Sequence, residues 1–325
     1  MRRRPLGRSG FAVSRLALGT MTWGRDTDAD DAAAQLKTFV DAGGNLLDTA
    51  DVYADGAAEH VIGSLLGHVV ARSELAIATK AGLSPGRSRR RNGSRGHLLS
   101  SLDASLARLG VDHVDLWQLH AYDPDTPLEE TLATLDHAVA TGRTRYIGVS
   151  NFSGWQTARA ATWQASGLAQ GRFPIVSCQV EYSLVQRGVE REVTAACRAA
   201  DVGVLAWSPL GRGVLTGKYR QGTPADSRGA SPHFERFVHP YLDERSAGIV
   251  EAVATAADGL GVSPLAVALA WVRDRPGVVA PVLGARTAGQ LLSSLQSDEL
   301  TLPAEIRNAL DDVSAIELGY PERQT

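Results

Sequence analysis

Short apolar runs alternate along the whole chain with longer segments of helical spacing. In the short runs apolar residues occupy both faces, as in LAIAT at 75–79, which is typical of parallel strands covered on both sides. The predicted strands cover residues 16–20, 45–49, 75–79, 113–119, 145–149, 175–180, 203–207 and 278–283. The predicted helices between and after them cover residues 28–42, 57–67, 97–109, 128–141, 153–166, 190–200, 242–257 with 264–273, and 287–296. This alternation predicts parallel pairing through right-handed crossovers.

The number of strand and helix units decides between two architectures. Eight units within 325 residues predict a closed (β/α)8 barrel, whose typical length is ~250 residues. The alternative is an open, doubly wound sheet, which would carry a G-x-G-x-x-G turn after an early strand. The first strand instead leads into LGTMTWG at 18–24, which does not match that turn. We therefore predict one α/β domain, a (β/α)8 TIM barrel, over residues 1–325.

Several segments lie outside the eight units. Ser9-Gly10 separates two short runs before the first strand, and this predicts an N-terminal β-hairpin preceding the barrel. A last helix is predicted at 303–315, with Pro303 in its first turn. Long loops follow the third and seventh strands, at 82–96 and 209–240, and long loops in a compact domain are usually functional or mobile. The first of them carries Arg87, Arg89, Arg90, Arg91 and Arg95. This cluster is interpreted either as a solvated loop or as a surface that attracts anions.

Composition narrows the class of protein. The formal net charge of −3 does not support nucleic-acid binding, which usually involves a basic domain. Cys178 and Cys197 are too few for a disulfide scaffold and fit a reducing compartment. No apolar run is long enough for a membrane span, and Ser14-Arg15 interrupts the apolar run near the start. We expect a cytoplasmic protein without nucleic-acid or membrane partners.

Polar side chains stand at the C-terminal ends of consecutive predicted strands. Asp48 ends the second strand with Tyr53 just beyond it, Lys80 ends the third and His120 ends the fourth. Because the strand C-termini of a barrel converge on one cavity, we expect these four side chains to meet. An unpaired charge there would be costly to desolvate, so Asp48 and Lys80 are expected to pair. An ammonium beside Tyr53 is expected to lower the phenol pKa from ~10, which suits a general acid.

The motifs at the strand ends resemble those of the aldo-keto reductase family over nearly the whole chain. The matching stretches are LGTMTWG, GGNLLDTADVY, IATK, DLWQLH, YIGVSNFS, QVEYS, AWSPLGRGVLTGKY and LGARTAGQL. The resemblance implies a catalytic tetrad of Asp48, Tyr53, Lys80 and His120. It also implies that NADPH lies across the barrel mouth and passes a hydride to a carbonyl carbon, that Tyr53 supplies the proton, and that His120 orients the carbonyl oxygen. No metal is implied.

The same resemblance assigns cofactor and substrate positions, one residue at a time. The implied cofactor-binding residues are Gly19, Thr20, Ser150, Asn151, Gln179, Trp207, Ser208, Pro209, Leu210, Gly211, Gly213, Lys218, Gly284, Arg286, Gln290 and Ser294. Among these, Ser150, Asn151 and Gln179 match the positions that hold the carboxamide. Arg286 matches the residue that faces the 2′-phosphate, so NADP(H) is expected rather than NAD. Ser294 departs from the Asn of many relatives, and Trp23 is expected to line the substrate pocket together with Tyr53 and His120.

Three functions from different classes are compatible with this reading. The first is an NADPH-dependent carbonyl reductase acting on a small aldehyde or ketone. The second is an NADP-binding subunit that senses redox state for another protein. The third is an aldolase or lyase that forms a Schiff base on Lys80, which would leave the motifs at 206–219 and 283–291 without a role. The substrate class stays open among aromatic aldehydes, sugar ketones and natural-product intermediates, because specificity depends on the geometry of the loops.

Overall fold

The computed structural model describes residues 1–86, 88–225, 227–231 and 235–320. Its first element is the predicted antiparallel hairpin, in which β1 (Arg3–Pro5) pairs with β2 (Ala12–Ser14). Leu6 and Val13 of the hairpin are fully buried in one apolar cluster with residues from the barrel strands, among them Leu46. The hairpin therefore packs against the apolar side chains of the barrel strands that share this cluster.

The eight parallel strands close into a barrel, which confirms the predicted fold class. They are β3 (Ala17–Gly19), β4 (Leu46–Asp48), β5 (Ala76–Ala81), β6 (Val114–Leu119), β7 (Thr144–Ser150), β8 (Ile175–Glu181), β9 (Gly203–Trp207) and β10 (Val278–Gly284). Each strand pairs with the next, and β10 pairs with β3 to close the ring. Asp48 lies opposite Ala78 across the pairing of β4 with β5, so the C-terminal ends of these two strands stand side by side.

Helices surround the barrel on the outside. They are α1 (Ala29–Asp41), α2 (Ala57–Leu65), α3 (Arg95–Leu109), α4 (Leu128–Ala140), α5 (Gly154–Ser166), α6 (Val193–Ala199), α7 (Glu235–Val238), α8 (Glu244–Leu260), α9 (Pro264–Arg273), α10 (Ala288–Leu295) and α11 (Ala304–Val313). Their starts follow ordinary capping chemistry: the Asp28 carboxylate accepts the N–H of Asp31 before α1, and Ser263 caps α9 ahead of Pro264. In the described part of the chain no helix alone is long and apolar enough to cross a membrane. α8 and α9 pass that test of length and composition only together, as a pair bent by 102°.

The two long loops follow β5 and β9, as predicted, but both contain more structure than the sequence indicated. The loop after β5 folds back on itself, because the N–H of Ser84 donates to the Arg90 carbonyl and the N–H of Asn92 donates to the Gly82 carbonyl. The loop after β9 contains the short helix α7, which the sequence analysis did not predict. Arg87 of the arginine cluster lies outside the described residues.

Candidate functional site

Lys80 and Asp48 form a buried ion pair at the C-terminal ends of β5 and β4. The Lys80 Nζ donates to Asp48 Oδ2 at 2.7 Å and to the Thr49 carbonyl at 2.8 Å. The other carboxylate oxygen, Oδ1, accepts from the Gln179 Nε2 at 2.7 Å. The Lys80 side chain has no exposed area and that of Asp48 only 3%. The predicted pairing of these two residues is therefore present, and Gln179 adds a third member from β8.

Tyr53 and His120 complete the group. Tyr53 begins a 3-10 turn just after β4, and the Lys80 Nζ lies 5.2 Å from the centroid of its ring. The rings of Tyr53 and His120 meet edge to face, with their centroids 6.1 Å apart and their planes at 80°. The structure thus brings together all four residues of the predicted tetrad, although they come from three different strand ends.

The charges in this group are set by burial and by the ion pair. Burial acts to lower the Lys80 pKa, but the neighbouring Asp48 carboxylate and Tyr53 phenol together outweigh burial and raise the Lys80 pKa above its usual value. Burial also raises the pKa of Tyr53, and the Lys80 ammonium opposes this rise only in part. The expectation that Lys80 gives Tyr53 a lowered pKa is therefore wrong for the net effect, because the cost of burying a phenolate is larger. Tyr53 keeps its proton near neutral pH.

His120 is a neutral imidazole. Burial lowers its pKa to about 3, and the nearby Lys80 ammonium acts in the same direction. Its Nδ1 is buried and has no hydrogen-bond partner in the described part of the molecule. A neutral imidazole carries one N–H donor and one acceptor nitrogen. The group facing the cavity therefore combines a protonated phenol with an uncharged imidazole, beside one buried ammonium.

A cavity of about 590 Å³ opens above these residues, within the usual size range of small-molecule sites. Three of the four tetrad members line it, while Lys80 lies behind them. Every predicted cofactor residue except Gly211 also lines it. The additional lining residues, which the sequence analysis missed, are Met21, Thr22, Arg212, Thr216, Phe237, Leu265, Val282, Leu283, Ala285 and Ser293. Most of them neighbour a predicted position in the chain, so only Phe237 and Leu265 come from segments without a motif.

Trp23 does not line this cavity, and its assignment to the substrate pocket is wrong. Its side chain has no exposed area, and the indole Nε1 donates to the Gln35 Oε1 of α1 at 3.2 Å. The bend after β3 turns Trp23 outward, so that it packs between the barrel and α1. Phe237, from α7 in the long loop after β9, lines the cavity together with the predicted Tyr53 and Trp207.

Gly211 does not line the cavity either, and its position is explained by close packing. It has φ +54°, and a Cβ at this position would lie 2.4 Å from the Val185 Cγ2. Gly213 differs, because it has φ +96° and lines the cavity with the Lys218 Nζ close to it, 3.2 Å from where a Cβ would stand. Of these two glycines, Gly213 is therefore the one that lines the cavity, and the Lys218 ammonium packs close to it.

Several predicted cofactor residues already make hydrogen bonds within the protein. The Asn151 Oδ1 accepts from the Trp207 Nε1 at 3.1 Å, and its Nδ2 donates to the His120 carbonyl at 2.9 Å. The Ser294 hydroxyl donates to the Gln290 carbonyl at 3.1 Å. Asn151 thereby holds the Trp207 ring in place, and its predicted contact with a carboxamide stays a prediction.

The long loop after β9 is attached to the barrel through Arg212. The guanidinium forms a bidentate pair with Glu181 at 2.9 and 2.8 Å. It also donates to the Phe237 carbonyl and stacks 3.7 Å from the centroid of the Phe237 ring. The Phe237 ring is nearly parallel to that of Trp207, with 6.4 Å between the centroids. The loop thus places a second aromatic wall next to Trp207.

The arginine cluster after β5 is partly engaged. The Arg89 guanidinium donates to Asp123 Oδ2 at 2.7 Å and to the Thr126 hydroxyl at 2.6 Å, and Asp123 also accepts the N–H of Gly93. Arg89 therefore fastens this loop to the loop after β6. Arg90, Arg91 and Arg95 are exposed.

Asp51 provides a test of these electrostatics. Burial and the neighbouring Glu59 carboxylate raise the pKa of Asp51 to about 7, and its Oδ1 is buried without a partner among the described residues. The Asp51 carboxyl therefore stays protonated in the folded state at pH values where the unfolded state has already released the proton, that is, above about pH 4. The free energy of unfolding consequently falls as the pH rises from about 4 toward 7. We expect Asp51→Asn to stabilise the protein at pH 8 by at most roughly 4 kcal/mol, at ~1.4 kcal/mol for each pKa unit.

Urea unfolding at pH 4.5, 6 and 8 measures this effect. The difference in unfolding free energy between Asp51→Asn and the unmodified protein should grow from pH 4.5 to pH 8. Asp55→Asn, on the same turn but exposed, controls for replacing a carboxylate by an amide. A difference for Asp51→Asn that does not change with pH would contradict the assignment of a buried proton.

The fold and this group of residues together define a class of protein, a barrel oxidoreductase. The chain belongs to the aldo/keto reductase family, whose model matches residues 15–315. It is 35% identical to the "Uncharacterized oxidoreductase YrpG" of Bacillus subtilis (strain 168), over 95% of this chain and 94% of that protein. It is 33% and 32% identical to proteins named "Probable voltage-gated potassium channel subunit beta" from Oryza sativa subsp. japonica and Arabidopsis thaliana, in each case over 99% of this chain and 98% of the relative.

Proposed function

We propose that the protein is an NADPH-dependent reductase of small aldehydes or ketones. The observation that carries the proposal is the geometry of the tetrad: a protonated phenol, Tyr53, meets the neutral His120 and the buried Asp48–Lys80 pair at the wall of one cavity. The same cavity extends to Lys218 and Arg286, two cations suited to phosphates. A proton donor and a phosphate-binding end in one cavity are what such a reaction requires.

The residues present fit the cofactor. Gly213 and Lys218 line the cavity side by side and would hold the pyrophosphate, and Arg286, which lines the same cavity, would bind the 2′-phosphate. The Trp207 ring, held by Asn151, would stack on the nicotinamide. When bound, NADPH supplies the hydride.

The tetrad supplies and controls the proton. Tyr53 keeps its proton until a carbonyl oxygen beside it gains negative charge, and it then donates that proton. The Lys80 ammonium stabilises the phenolate that remains, because opposite charges attract strongly in a buried site. The neutral His120 donates an N–H to the same oxygen and so holds the carbonyl in place. Asp48 keeps Lys80 charged and fixed.

The same cavity has two aromatic walls, which would suit an uncharged substrate with a flat apolar group. Trp207 and Phe237 present nearly parallel rings there, and aromatic pairs attract other rings in offset or edge arrangements. The Arg212 guanidinium on the same side is already paired with Glu181. We therefore propose small aromatic aldehydes as the first compounds to examine.

Steady-state oxidation of the reduced cofactor tests this function. A panel of carbonyl compounds, each measured with NADPH and with NADH, should show turnover with some aldehydes and a preference for NADPH in kcat/KM. We expect Arg286→Ala to reduce that preference by about 10- to 100-fold, since a charge-assisted contact with the 2′-phosphate contributes ~1.5–3 kcal/mol. Arg90→Ala, an exposed arginine in the loop after β5, is the matched control. An unchanged cofactor preference in Arg286→Ala would refute the role of Arg286.

A second candidate is a cofactor-binding regulatory subunit, and the two plant relatives named as channel β subunits favour it. In that case NADPH would bind tightly but would be oxidised slowly by every carbonyl in the panel. Rapid multiple turnover distinguishes the reductase from the regulatory subunit.

A Schiff-base lyase is disfavoured by the geometry. The Lys80 Nζ is fully buried and donates to two acceptors, and its raised pKa keeps it protonated. A protonated amine is not a nucleophile. Borohydride in the presence of a carbonyl compound should therefore not trap an adduct on Lys80.

A further inference from the structure

The turn that carries Tyr53 has an unusual backbone. Ala54 and Asp55 have φ of 48° and 53°, and Gly56 follows with φ 91°. Residues other than glycine are uncommon in this left-handed region, because the Cβ crowds the following carbonyl. Such a conformation persists only where the surrounding structure holds it. The position of the Tyr53 phenol therefore depends on what packs against residues 54–56.

Arg108 of α3 packs against this turn. A Cβ built on Gly56 would lie 2.9 Å from both the Cδ and the Nε of Arg108, so the glycine makes room for the arginine side chain. The guanidinium then reaches Glu59 at the start of α2, with the Nε donating to Oε2 at 2.8 Å and an Nη at 2.7 Å from the same oxygen. Arg108 thus contacts the turn and the helix that follows it.

Glu59 links this contact to the strand that carries Lys80. Its carboxylate has no exposed area, and its Oε1 accepts the hydroxyl of Thr79 at 2.6 Å. Thr79 immediately precedes Lys80 on β5. We call Glu59, Arg108 and Thr79 the Glu59 bridge. It joins the segment after Tyr53 to the strand before Lys80, on the side away from the cavity.

We infer that Glu59 and Arg108 are positioning residues for the proposed proton transfer, holding the Tyr53 phenol at its working distance from Lys80. The inference rests on the proposed function. None of the three residues of the bridge lines the cavity, so none is proposed to touch substrate or cofactor. Any carboxylate as deeply buried as that of Glu59 requires a partner. The partners of Glu59, however, connect the turn that carries Tyr53 with the strand that carries Lys80, and the proposed proton transfer depends on the relative position of these two segments.

The double variant Glu59→Gln with Arg108→Met tests the inference. Gln can still accept from Thr79, and Met keeps an unbranched stem beside Gly56, while the ionic contact is lost without leaving a buried charge. We expect kcat to fall about 10- to 100-fold, because a displacement of ~1 Å can cost that much. The NADPH dissociation constant and the carbonyl KM should change less than threefold.

A second comparison separates positioning from general stabilisation. In a Tyr53→Phe background the same double variant should have almost no further effect on kcat, since there is no phenol left to position. The control is Arg72→Met with Asp115→Asn, a partly buried ion pair of 2.6 Å at the opposite end of β5. This control should lower the unfolding temperature while kcat stays within about twofold of the unmodified protein.

The outcomes divide clearly. A fall in kcat that vanishes in the Tyr53→Phe background supports the inference, whereas an equal fall in both backgrounds, or an unchanged kcat, overturns it. If the double variant does not fold, Thr79→Val removes one hydroxyl of the bridge without changing charge, and the same two backgrounds decide. An unmodified protein that reduces no carbonyl would instead defeat the proposed function, before any variant of the bridge is made.

Discussion

Replacing Tyr53 by Phe is expected to lower kcat by about 10²- to 10⁴-fold, the usual contribution of a general acid. The substitution removes one hydroxyl and keeps the ring, so the edge-to-face contact with His120 is preserved. With a raised pKa, Tyr53 holds its proton near neutral pH. His120 is neutral and donates only weakly, and the Lys80 ammonium already donates to Asp48 and to the Thr49 carbonyl, so neither group is expected to replace the phenol. The loss should therefore appear in kcat, measured as NADPH oxidation at saturating carbonyl.

Cofactor binding should survive the same substitution. Fluorescence titration of NADPH is expected to give a dissociation constant within about threefold of the unmodified protein, because Tyr53 is not among the residues proposed to hold the phosphates. Tyr146→Phe is the matched control, since this tyrosine lies on β7 and stacks on Phe11 of the hairpin. Undiminished turnover in Tyr53→Phe would refute the assignment of the proton donor.

The architecture was predictable because it is encoded in a repeated local pattern. Most of the strands are largely apolar on both faces, and the following helices repeat their apolar positions every three or four residues. The resulting barrel fixes where the strand C-termini converge. For this reason the sequence alone predicts that Asp48, Lys80 and His120 lie close together. The hairpin could be predicted for the same reason, since Ser9-Gly10 is a local turn signal.

The features that were missed depend on how distant segments pack. Nothing local to Trp23 shows that it turns toward α1, and nothing local to Phe237 shows that it lines the cavity in a loop that Arg212 attaches to Glu181. The left-handed conformation of Ala54 carries no sequence signal, and Asp55 offers only the weak preference of aspartate for this region. The predicted direction of the Tyr53 pKa shift was wrong for a similar reason. It depends on the balance between burial and the Lys80 charge, and burial is a property of the whole fold.

The Asp48–Lys80 pair allows stability and catalysis to be separated. Asp48→Asn leaves the fully buried ammonium without its counter-ion, and Lys80→Met leaves the carboxylate with only the Gln179 amide. Breaking a buried pair from one side typically costs about 3–5 kcal/mol. Each single variant is therefore expected to unfold at a clearly lower urea concentration than the unmodified protein, and each should lose most of its activity.

The double variant Asp48→Asn with Lys80→Met is expected to behave differently in the two measurements. With both charges removed, neither desolvation penalty remains, so its urea midpoint should lie closer to that of the unmodified protein than either single variant does. Its kcat should stay as low as in Lys80→Met, because Tyr53 has no cation to stabilise its phenolate. Recovery of stability without recovery of turnover would place the catalytic contribution of the pair in the Lys80 charge. Recovery of both would mean that Lys80 supports only the fold, and a double variant less stable than both single variants would show that the two charges do not compensate each other.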